Sequence, residues 1–448
     1  MTLAEPLFDD SLAVLVGTLT DLVGGDFVEA GTALRDASGL LTFVAGREPE
    51  DDAEREKLGA ALIAALGSYA RIDRPISFRG DSGSERLLAA PERLPFKVGD
   101  RFCQVIDRRI VGSGWLDEPT GAVTDPPRIV FATLKGGVGR STALAIAAAD
   151  LARRNRNVLV VDLDLEAPGL GDLLLASDRT PDFGVIDYLV EDGLGGIADG
   201  DLYRFIGTSG LTQGGGGRVD VLPALGQRSN NQPENILPKL SRAMIEDVVD
   251  GKSIPVATQI SKMIARITAR EQYDAVFIDS RAGLSELAAP AVLGLGATIL
   301  LFGTAQKQTV EGYRALFAAL QLLAQRDTAA GRDADWRTML KPVYAKASLD
   351  ANVSERFVDE MYELYSAHIY DAETEGANAI DLLRFARSDE TAPHWPLIVP
   401  FSQSFIDFDP GRNADQLTQS FYEQTYREFL AGLDAAISAS SSSSEPNA

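Results

Sequence analysis

From residue 128 onward the chain alternates short apolar runs with longer amphipathic stretches. Residues 129–133, 157–163, 219–223, 273–279, 298–302, 342–345 and 397–400 are almost continuously apolar. That is the pattern of strands covered on both faces. Between them, residues 143–152, 235–249, 254–270, 310–324 and 353–368 carry apolar positions at helical spacing. Alternation of this kind predicts an α/β fold with a doubly wound, mostly parallel sheet, and places ligands at the carboxyl ends of the strands. A run of glycines, 214–217, is expected as a flexible surface loop.

Residues 1–125 form a different pattern. Helical spacing over 10–23 and 48–69 is mixed with strand-like runs at 39–44 and 102–111, which predicts a smaller N-terminal α/β module. The stretch 117–127, with Pro119, Gly121, Pro126 and Pro127, is expected to be the linker. The main domain then spans 126–436, closing with a helix over about 413–436 and including an insertion around 326–395. A serine-rich tail, 437–448, has the composition of a disordered segment.

One stretch carries chemistry. The strand 129–133 is followed by Lys135, Gly136, Gly137, Val138, Gly139, Arg140, Ser141 and Thr142, and then by the alanine-rich helix. Strand, glycine loop and helix start make a phosphate cradle. The glycines let several N–H groups converge, and the helix N-terminus adds its partial positive charge. Ser141 would place its hydroxyl on a Mg²⁺ ion.

The segment from Lys135 to Thr142 resembles the deviant Walker A motif of the ParA/MinD family of P-loop ATPases, a SIMIBI-like P-loop NTPase fold. The resemblance implies ATP and Mg²⁺ as cofactors, bound by residues 136–142. It also implies that Lys135 is the signature lysine, which reaches a partner subunit's ATP in a homodimer. Arg140 stands where the family has its usual Walker lysine, a departure that keeps the charge and changes the shape. A second family pattern is matched by Asp162 and Asp164, followed by Pro168. By resemblance Asp162 helps order the Mg²⁺ shell, and Asp164 orients or deprotonates the attacking water. The third is an apolar strand ending in Asp279, expected to hold Mg²⁺ through a water. Gly283 matches the switch position whose amide senses the γ-phosphate, and Pro400 lies in a stretch expected to wall the adenine. No Asn-Lys-x-Asp guanine motif occurs, which favours ATP over GTP.

Composition sets the bounds. Hydrophobic residues make up 45% and charged residues 24%, the balance of a soluble globular protein. No apolar run approaches the roughly 20 residues of a membrane span, and a cytoplasmic location is expected. The last helix has too few basic residues to be a lipid-binding anchor. The single cysteine, Cys103, excludes an internal disulfide and a cysteine-held cluster, and only two histidines are present. A net charge of −23 argues against nucleic acid as a partner, despite the local cluster Arg153, Arg154 and Arg156. The expected function is that of an ATPase that dimerises with ATP and regulates an unidentified protein partner. Two other readings stay open: a nucleotide-binding scaffold with little hydrolysis, and an autokinase resembling the bacterial tyrosine kinases.

Overall fold

The computed structural model describes residues 5–210, 215–249, 251–372 and 382–442. Two compact units emerge, one from residues up to Leu116 with Leu320–Ala334, the other from Asp117–Ala319 and Asp335 onward.

In the first unit, β1 (Thr32–Arg35), β2 (Leu41–Val44), β3 (Ile76–Ser77), β4 (Leu94–Val98) and β5 (Arg101–Asp107) form a mixed sheet in the order β3-β2-β1-β5-β4. Its core gathers Leu15 and Leu19 from the helix Phe8–Val23, Leu58 and Leu62 from Asp52–Leu66, and Phe43, Phe78 and Val105. The expected strand 102–111 ends at Asp107, and Ile110 and Val111 are exposed. Strands β1, β3 and β4 are too short or too interrupted to show an apolar run. β4 carries Pro95, which an edge strand tolerates because it lacks one ladder partner.

The second unit contains an eight-stranded sheet. Its strands are β6 (Arg128–Thr133), β7 (Val158–Asp162), β8 (Gly207–Thr208), β9 (Val219–Leu222), β12 (Ala275–Ala282), β13 (Thr298–Gly303), β14 (Leu340–Ala347) and β15 (Leu397–Pro400), with the separate hairpin β10 (Asp247–Val249) and β11 (Lys252–Ile254). The order is β15-β14-β13-β6-β12-β7-β9-β8, and every pair is parallel except β8 with β9. The doubly wound α/β sheet is present. Against it lie the helix Arg140–Arg153, whose alanines allow close approach, and the final helix Gln419–Ser442. Phe131 stacks on Phe302 with ring centroids 5.8 Å apart, and Phe429 of the final helix closes on Phe302 at 5.9 Å. Among the described residues no helix is long and apolar enough to cross a membrane.

Three local expectations need correction. The helix expected over 235–249 is α-helical only in Ile236–Ala243, and its last three residues are instead strand β10, paired antiparallel with β11. Asp250-Gly251 between β-branched residues is a hairpin signal that the helical spacing obscured, and Gly251 has φ +76°. The final helix continues through Ser442 instead of stopping near 436, while 443–448 lie outside the described residues. The glycine run is docked rather than free, apart from Gly214, which lies outside the described residues. Gly217 donates its N–H to the Ala152 carbonyl at 3.1 Å, and a Cβ there would fall 2.2 Å from the Arg156 carbonyl oxygen.

Candidate functional site

β6 delivers the chain to the glycine loop. Thr133, its last residue, accepts the Lys135 N–H on Oγ1 at 3.2 Å and donates to the Phe302 carbonyl at 3.0 Å. Gly137 and Gly139 have φ +75° and +93°, in the left-handed region that side chains avoid. A Cβ built on Gly136, Gly137 or Gly139 would meet nothing within 4 Å, so the loop presents an open backbone face. Beneath it a cavity of about 460 Å³ is lined by 136–142, Asp164, Lys346, Val399, Pro400 and Phe401, with Phe405 and Tyr426 from further along. Loop amides and a helix N-terminus facing such a cavity are suited to an anion.

Sheet register brings the carboxylates together. Asp279 of β12 lies directly opposite Asp162 of β7 and opposite Phe131 of β6. Asp162 is fully buried, and its oxygens accept backbone N–H groups of Asp164 at 3.0 Å, Leu170 at 3.1 Å and Gly169 at 3.3 Å. It therefore clamps the loop after β7 and starts the helix Leu170–Leu174. Burial raises the pKa of both Asp162 and Asp279; the neighbouring carboxylate adds to the rise at Asp162, while Arg140 and Ser141 oppose it at Asp279. Ser141 Oγ donates to Asp279 Oδ2 at 2.7 Å.

Arg140 holds the centre of this cluster. Its Nε is 2.5 Å from Asp279 Oδ1. Its Nη2 donates to Asp164 Oδ2 at 3.1 Å and Asp279 Oδ2 at 3.2 Å, and Nη1 donates to the Ser280 carbonyl. Arg140 is only 8% exposed. The guanidinium thus lies beside three of the four side chains expected to serve metal and water, Ser141, Asp164 and Asp279, the fourth being Asp162.

The other expected residues are distributed as follows. Thr142 and Val138 are in the loop lining the cavity. Lys135 is exposed and does not line it; its Nζ donates to Gln306 Oε1 at 3.2 Å. Gly283 has φ +95°, and its N–H is engaged with the Thr133 carbonyl at 2.9 Å. Arg281 pairs with Glu166, tying the C-terminal end of β12 to the loop after β7. Sequence reasoning missed Lys346, which adopts φ +52° and donates from Nζ to the Gly137 carbonyl at 2.7 Å. The signal available was a lone charge interrupting the apolar end of β14, at the bulge between Ala345 and Ala347. It also missed Phe405 and Tyr426, whose separation in sequence from the loop hid their place in the wall.

Among the described residues no group of three or more His, Cys, Asp or Glu could hold a metal by itself. The Ser141 hydroxyl and the Asp279 carboxylate are hard oxygen donors, and Mg²⁺ commonly takes one or two such ligands and fills the remainder with water and phosphate. By donor chemistry they fit that ion. The arginines once grouped as a basic cluster are internally paired: Arg153 with Asp150, Arg154 with Asp150 and Asp434, Arg156 with Asp274.

Residues 129–321 match the family model described as the CobQ/CobB/MinD/ParA nucleotide binding domain. No curated protein matches the chain. Solved structures similar to it include the MinD cell division protein of Aquifex aeolicus, 16% identical, covering 69% of this chain and 97% of that one with a TM-score of 0.41. The cell division ATPase MinD of Pyrococcus furiosus is 18% identical and covers 69% and 99%, with a TM-score of 0.40. A plasmid partition protein from Borrelia burgdorferi is 16% identical and covers 67% and 99%, with a TM-score of 0.36.

Proposed function

Over residues 129–321 the chain carries a nucleotide-binding domain of the CobQ/CobB/MinD/ParA family, and from that premise we propose that it is a Mg²⁺-dependent ATPase that pairs two copies when ATP is bound and so regulates a protein partner. The observation that carries this reading is the loop 136–142, with Gly137 and Gly139 in left-handed backbone at the start of a buried helix, facing a walled cavity. Its amides, with Lys346 on the opposite side, suit a triphosphate; Pro400 and Phe401 offer an apolar wall to a base.

Ser141 and Asp279 would hold Mg²⁺, which when bound neutralises charge on the phosphate oxygens. Asp164, close to the cradle, would orient the attacking water. Lys135 extends away from its own cavity, which supports a role in a partner's site. The Arg281–Glu166 pair joins the two segments that would respond to the nucleotide.

Calorimetric titration with ATP and Mg²⁺ tests the reading. Saturable heat with one ATP per chain, and none with GTP, is expected; no heat with any nucleotide would overturn it. A slow or silent hydrolase is the second reading, favoured by one observation: Arg140 already occupies the carboxylates of Asp164 and Asp279.

A further inference from the structure

We propose that Arg140 is a resident counter-cation for Asp164 and Asp279, so that the chain grips nucleotide with little or no dependence on a divalent ion. The inference rests on the nucleotide-binding reading and concerns how that site is balanced electrically.

Two carboxylates, Asp164 in the loop after β7 at 7% exposed and Asp279 in β12 at 2%, cannot both stay ionised without a nearby positive charge. In a site that uses a compact ammonium, that charge serves the phosphates and leaves the carboxylates to a metal. Here the side chain at this position turns inward. Its Nη1 donates to the Ser280 carbonyl and its Nη2 to Asp164 and Asp279, while Nε lies against Asp279 Oδ1 as an ion-pair contact without a hydrogen bond. Only a planar fork with separate donors can satisfy three acceptors in those directions at once. A single ammonium could reach one or two of them.

The pairing also crowds the metal's expected foothold without filling it. Asp279 Oδ1 faces Arg140 Nε without a hydrogen bond, and Oδ2 accepts from Ser141 and from Arg140. Withdrawing the guanidinium would leave a buried carboxylate with one hydroxyl as partner, which is strongly unfavourable. Arg140 therefore stays, and the cradle amides and Lys346 supply the grip on phosphate. Any need for Mg²⁺ then belongs to turnover rather than to affinity.

The test is ATP affinity by calorimetry on the full chain, once in excess Mg²⁺ and once in EDTA, for the native protein and for Arg140→Lys. For the native chain the two dissociation constants should agree within about threefold, and Arg140→Lys should bind about tenfold or more tightly with Mg²⁺ than without it. A native chain whose affinity falls by about tenfold or more in EDTA overturns the inference and leaves the nucleotide-binding reading intact. Equal affinities for Arg140→Lys in both buffers would show that the fork is not what removes the metal dependence, and would overturn it as well. Absence of binding in either buffer overturns the reading and the inference together. The native comparison decides the matter even if the variant fails to fold, which circular dichroism would reveal.

Discussion

Lys346 illustrates how a single side chain can be both hidden in the sequence and central in the fold. It is exposed, sits in left-handed backbone at a bulge, and caps the Gly137 carbonyl, so its charge is held next to the phosphate cradle at little desolvation cost. Lys346→Ala should weaken ATP binding by about tenfold, on the scale of a charge-assisted hydrogen bond, with the melting temperature nearly unchanged because the side chain is exposed. Titration and thermal denaturation of the same preparation check both halves; an unaltered affinity would remove Lys346 from the site. The loop residues 136–142 and the three aspartates could be picked from the sequence because phosphate chemistry demands fixed offsets along the chain. What those offsets could not convey was direction. Asp162 spends its lone pairs on backbone amides, Gly283 spends its N–H on Thr133, and Arg140 points at carboxylates, all consequences of tertiary geometry.

At the scale of elements, the central strands were legible because strands buried on two faces must be apolar throughout, whereas β1, β3 and β4 of the first unit are too short or too interrupted to leave a comparable trace. β14 shows a further device. Lys341, the second residue of this strand, is half-buried, with Nζ donating to the Ala392 carbonyl at 2.8 Å. Burial lowers its pKa from the ordinary 10.5 to about 8, against the pull of Asp389. A base with a depressed folded-state pKa is a burden below that value, where folding must keep it charged in a poor environment. The burden lifts as pH rises from about 8 toward 10.5, where the unfolded chain holds a proton that the folded chain has released. Lys341→Met removes the titration and the bond to Ala392 together, and the lost bond is a constant offset. The difference in melting temperature, native minus variant, should therefore grow in favour of the native chain between about pH 7 and about pH 9.5. A difference that stays flat across that range would mean that Lys341 remains fully charged in the fold.

For the molecule as a whole, the question is what two copies do when ATP is present. Each carries a net charge of −23, so approach is opposed by long-range repulsion that salt screens over about 8–10 Å at physiological ionic strength. The final helix buries Tyr422, Phe429 and Leu433 in its own core, so those apolar side chains are already spent within the chain. On the proposed reading pairing draws on the nucleotide, and the cation proposed to cross is Lys135, which is exposed with its Nζ donating to Gln306. Native protein with ATP should shift toward twice the monomer mass in light scattering, whereas Lys135→Ala should remain monomeric under the same conditions while binding ATP with similar affinity. Because the whole-molecule term is repulsive and acts over a longer range than a single lysine–phosphate contact would, raising salt from about 20 to about 150 mM should strengthen the ATP-bound pair. A pair held by surface attraction would instead weaken. Dimerisation of Lys135→Ala equal to native would remove the lysine from the interface, and a native dimer that loosens with added salt would show that net-charge repulsion is not what limits pairing.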